Sequence, residues 1–94
     1  MIRVVFDKDG FTAQGHAGFD EYGKDVVCAA VSSILQHAAY VLKALGGEME
    51  KGKGHLRVWG VPESECARIT MAVTVESLRS IERKYPQSLK VEVI

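Results

Sequence analysis

The chain has 94 residues, 47% of them hydrophobic and 26% charged, with twelve Lys and Arg balanced by twelve Asp and Glu. That length supports one core without disulfide or metal staples, and the balanced charge argues against nucleic-acid or membrane binding driven by net charge. Two cysteines without an export signal point to reduced thiols in the cytoplasm.

From the N-terminus, Ile2, Val4 and Phe6 alternate with Arg3, Val5 and Asp7, the pattern of a half-buried strand and not of a signal peptide. Lys8-Asp9-Gly10 is turn chemistry, and a second strand from Phe11 to about His16 closes a hairpin with Phe11 and Ala13 inward. Residues 17–24 read as a loop, with Gly18 and Gly23 near its ends. Asp25 suits a helix N-cap. That helix runs to Leu45 and stops at Gly46-Gly47, with Val27, Val31, Ile34, Ala38, Val41 and Leu45 as its core stripe.

Glu48 to Val61 reads as a second hairpin turning over Lys51–Gly54, with Leu56 and Val58 inward. Pro62 suits the first position of a second helix that ends near Tyr85 before Pro86. Its inward face is Ala67, Met71, Thr74, Val75, Leu78 and Ile81. Leu89, Val91 and Val93 then alternate in a last strand. No apolar run approaches the roughly 20 residues that span a bilayer, so no membrane segment is expected.

The order ββαββαβ predicts an α+β fold. A mainly antiparallel sheet of about five strands carries both helices on one face, a two-layer sandwich formed by residues 1–94 as a single domain. Each helix has a second, partly apolar face: Val26, Ala30 and Ser33 on one, Cys66, Ile69 and Val73 on the other. Covering these faces predicts a twofold homodimer, with the outward Trp59 a further candidate contact.

The chemistry concentrates between Gly15 and Ser33. A thiol acts as a nucleophile only as thiolate, and an ordinary cysteine near pKa 8.5 is only about 3% ionised at pH 7. Cys28, in the helix's first turn, lies near N-terminal amides and the positive end of the dipole, which favour the anion. His16, at a strand end, supplies an imidazole to take the proton. Strict alternation aims His16 away from the core, and Gly15 permits the bulge or twist that re-aims it.

The intervening loop can close over a cleft, with Gly18 and Gly23 as hinges and Phe19 and Tyr22 offering apolar surface to a peptide. Asp25 can orient His16 as well as cap the helix. Ser32, one turn beyond Cys28, bonds either back to the helix or to the thiol. Plainer readings stand beside these: Cys28 as a small buried residue, His16 as a strand surface side chain, the two rings as anchors of the loop.

Elsewhere, Cys66 reads as a structural thiol, buried or interfacial. His37 lies about half a turn around the helix from Cys28, and His55 points outward with Arg57 and Trp59. Lys51, Lys53 and Arg57 form a solvated basic hairpin tip. No paired metal-ligand spacing, phosphate loop or dinucleotide fingerprint is present, so neither metal nor cofactor is expected.

The run Gly15-His16-Ala17, followed by Gly23, Asp25, Val27, Cys28, Ala29 and Ser32, resembles the motif of the bacterial ribosomal-processing cysteine proteases. The motif covers less than a quarter of the chain, and the rest agrees in length and element order. The resemblance implies that Cys28 is the nucleophile and His16 its general base and later acid. It also implies a cytoplasmic homodimer with a mobile loop between the two residues. The implied substrate is a ribosomal protein precursor, number twenty-seven of the large subunit, which loses a short N-terminal extension. No direct nucleic-acid binding is expected. Two other classes stay open: a ribosome-associated binding module with an incidental thiol, and a redox-sensing thiol.

Overall fold

The alternating N-terminus forms β1 (Ile2–Asp7), which pairs antiparallel with β2 (Gly10–Gly15), Val4 opposite Ala13 and Phe6 opposite Phe11. The structure, a computed structural model, describes residues 1–15 and 25–94. After β2 come α1 (Asp25–Ala44), β3 (Glu48–Gly52), β4 (His55–Trp59), α2 (Glu65–Lys84) and β5 (Leu89–Val93). The sheet order is β3-β4-β2-β1-β5. Among the described residues only the β1–β5 pair is parallel; the other three pairs are antiparallel. The expected ββαββαβ sandwich is therefore present, with a mixed but mostly antiparallel sheet.

Alternation decides which face of the sheet is covered. Ile2, Val4, Phe6, Phe11, Ala13, Leu56, Val58, Leu89 and Val91 are buried in one core with the helices. The intervening residues face the other way: Arg3 meets Glu92 at 3.0 Å, and the Arg57 guanidinium lies over Trp59. Val93, expected inward, is exposed at the end of β5.

In α1 the buried residues are Val27, Val31, Leu35, Ala38, Ala39 and Leu42, while Ile34, Val41 and Leu45 are only partly buried. The core stripe is thus rotated from the expected one toward Leu35, Ala39 and Leu42. The cause is two-sided packing, since α1 lies against α2 as well as β3 and β4. Val26–Ala44 is also more apolar than expected, 19 residues at a mean hydropathy of 1.4, long enough by composition to cross a bilayer. Here its inward side chains, Val27 to Leu42, belong to the core of a small domain, while Val26 and Tyr40 are exposed. The helix ends as its glycines direct: Gly46 N–H donates to the Lys43 carbonyl and Gly47 N–H to that of Leu42, the paired bonds of a Schellman cap.

Pro62 does not open α2. The helix starts at Glu65 behind Ser64, an extended residue whose Oγ accepts from Ala67 N–H at 3.0 Å. A serine oxygen satisfies an orphan amide that proline cannot, so the cap lies two residues beyond Pro62. Ser64→Ala is expected to cost about 1 kcal/mol of unfolding free energy. A urea titration showing no loss would refute the cap. The expected inward face of α2 holds: Ala67, Thr74 and Leu78 are buried, with Met71, Val75 and Ile81 packed against the core.

Candidate active site

α1 takes in Asp25 itself, one residue earlier than an N-cap there would allow, and Cys28 is its fourth residue. Cys28 is half-buried and packs against the core on its inner side. Ser32 and Gln36 follow at successive spacings of four, so the three share one flank of the helix. That flank faces the end of β2 and the β3–β4 hairpin.

Between them lies a cavity of about 310 Å³. Apolar side chains, Val31, Leu35 and Leu56 among them, supply its floor, and Cys28, Ser32, Gln36, Lys51 and His55 also line it. Gly15 lines it as well. The backbone there has φ +99°, and its N–H donates to the Gly54 carbonyl at 2.9 Å. The strand's regular geometry therefore breaks at Gly15.

His16, Gly18, Phe19, Tyr22 and Gly23 lie outside the described residues, as does the side chain of Asp25. Ser32 is exposed on the cavity rim and accepts a hydrogen bond from Gln36 Nε2 at 2.7 Å. Gln36 Oε1 in turn accepts from Lys51 Nζ at 2.9 Å. Lys51, exposed as expected for the hairpin tip, thus also bonds to Gln36 of α1, two turns beyond Cys28. His55 lies on the outer face of β4 as expected, paired with Gly52 and next to the Arg57–Glu50 pair; its ring lies over Gly52, and the residue also borders the cavity. Its Nε2 stands 3.4 Å from Glu50 Oε1. Gln36 was missed by sequence reasoning; its four-residue spacing from Ser32, itself four beyond Cys28, is the signal that could have found it.

The remaining candidates fall elsewhere. His37 is exposed and is not among the residues lining the cavity. Cys66 is exposed on α2 rather than buried, alongside Ile69 and Val73, both more than half exposed.

A thiol in the first turn of a long helix, opening on a cavity of peptide side-chain size, is the arrangement of a cysteine hydrolase. Comparison with known proteins agrees. The family model described as cysteine protease Prp matches residues 1–90, and the chain belongs to this family of cysteine proteases. It is 31% identical over 103 residues to the ribosomal processing cysteine protease Prp of Bacillus subtilis, covering 96% of this chain and 91% of that one. The Mycoplasma pneumoniae protein of the same name is 28% identical over 94 residues, covering 98% and 94%. The fold matches, at a TM-score of 0.87 and 24% identity over the whole of both chains, an S. aureus essential ribosomal processing protease Prp bound covalently to a product peptide. A second structure of the S. aureus protease, with a substrate peptide, matches at 0.79 and 21% identity, again over the whole of both chains.

Proposed function

We propose that this cysteine protease cleaves its peptide substrate with Cys28 as nucleophile and His16 as general base and acid. The observation that carries the reading is the shared cavity: Cys28 lines it, and so does Gly15, the residue covalently joined to His16. Thiolate Cys28 attacks the scissile carbonyl carbon, and amides at the start of α1 receive the developing oxyanion. His16 gives its proton to the leaving amine, and water then releases the acyl group and regenerates the thiol. General acid–base help of this kind supplies roughly 10²–10⁴ in rate.

Asp25 and Ser32 are the supporting polar side chains in this reading. Phe19 and Tyr22, between Gly18 and Gly23, are assigned to contact with the peptide. The relatives' names support a ribosomal protein precursor as substrate. We assign the removed segment to the N-terminal extension of large-subunit protein twenty-seven. The enzyme acts in the cytoplasm, without direct nucleic-acid binding, as a homodimer that covers exposed Val26, Ile69 and Val73.

The dyad is tested by the rate of Cys28 alkylation with iodoacetamide against pH. A Cys66→Ser background leaves Cys28 as the chain's single thiol. His16→Ala is expected to move the midpoint of the curve upward and to slow alkylation at pH 7. His55→Ala, a histidine lining the same cavity, is the control. If the histidine that matters is His55 and not His16, the dyad assignment fails.

A further inference from the structure

We propose that Gln36 and Lys51 are positioning residues that hold the Ser32 hydroxyl as a hydrogen-bond donor beside Cys28. The inference rests on the reading of Cys28 as nucleophile and adds a support to it from a distant part of the chain. Donor chemistry fixes the direction of each link. A lysine ammonium can only donate, so the Gln36 oxygen 2.9 Å from Lys51 Nζ must accept. This turns the amide so that Nε2 faces Ser32 Oγ at 2.7 Å and donates to it. Ser32 uses a lone pair in that bond and keeps its own proton to give.

The geometry gives that proton a destination. Cys28 and Ser32 are four residues apart on α1, where side chains are neighbours, and both line the cavity. Elsewhere in the chain mid-helix hydroxyls turn back on the helix: Thr70 donates to the Cys66 carbonyl and Thr74 to that of Thr70. Ser32 is instead engaged from the cavity side. A hydroxyl donating toward anionic sulfur stabilises it, and a cation two links upstream polarises the donor. Lys51 and His55 are the titratable residues that border the cavity with Cys28 among the described residues, and the His55 ring is turned to Gly52 and Glu50. Of these two, Lys51 is the one bonded into the chain that ends at Ser32.

The test uses the same alkylation assay in the Cys66→Ser background. Lys51→Met and Gln36→Leu are each expected to raise the midpoint by about half to one pH unit and slow alkylation at pH 7 about threefold to tenfold. Lys51→Arg, whose guanidinium can also donate to Gln36, is expected to restore most of the rate. Lys53→Met removes the same charge from the same hairpin and is expected to track the parent curve. Thermal melts of each variant confirm that it is folded. The proposal is overturned if the Lys51→Met and Gln36→Leu curves superimpose on the parent, or if Lys53→Met shifts the curve as far as Lys51→Met does. The two readings separate, since an unmoved curve for His16→Ala counts against the dyad, whereas unmoved Lys51 and Gln36 variants count against the relay alone.

Discussion

A Cys28→Ala chain is expected to fold as the parent does and to cleave nothing. The covalent route depends on one sulfur, and deleting the nucleophile of a hydrolase costs on the order of 10⁶ in turnover. The structural cost is small by comparison. Cys28 is half-buried, so alanine removes one partly solvated atom, and alanine is the better helix former. Stability should change by less than about 1.5 kcal/mol. The measurement is cleavage of a peptide spanning the extension, by mass spectrometry, alongside a thermal melt. Cys28→Ser should be equally inactive, because a serine hydroxyl is not ionised by surroundings that suffice for a thiol. Cys66→Ala should retain full turnover, since Cys66 is on the exposed face of α2. Parental cleavage by Cys28→Ala would end the assignment of this residue as nucleophile.

How much of this was legible in the sequence differs between elements for physical reasons. Ile2-Val4-Phe6 and Leu56-Val58 alternate against polar neighbours, and a half-buried sheet leaves that period intact. The strands and the face they bury could therefore be read directly. The α1 stripe was read about one residue to the side, because a single helix carries no mark of being covered by α2 as well as the sheet. The start of α2 was misjudged because Pro62 and Ser64 both suit a helix beginning; only the chain path shows that Ser64 caps Ala67. At the site, Cys28 and Ser32 stood out because their chemistry is local to one helix turn. Gln36 and Lys51 did not, since their bond depends on a hairpin folding back onto α1 across fifteen positions.

Gly15→Ala is expected to cost far more than a buried methyl group usually does. An ideal Cβ on Gly15 would overlap the Met1 carbonyl oxygen, and that neighbour is backbone, not the end of a flexible side chain. The same residue sits at φ +99°, where an L side chain adds a conformational penalty of about 1–2 kcal/mol. Relieving both requires the end of the β1–β2 ladder, where Ile2 faces Gly15, to open. We expect a total loss of about 2–5 kcal/mol. Gly60→Ala separates the two causes. Gly60 also has positive φ, +68°, yet nothing lies within 4 Å of its Cβ position, and it bonds to Asp9 at the far end of the hairpin. It should lose only the conformational part, about 1 kcal/mol, with cleavage intact. Under the proposed mechanism Gly15→Ala should also lower kcat/KM well beyond its effect on folded fraction, because the shifted backbone leads directly into His16. Equal losses of stability in the two variants would show that the Met1 contact carries no weight. Undiminished cleavage by folded Gly15→Ala would separate the turn at this strand end from the chemistry.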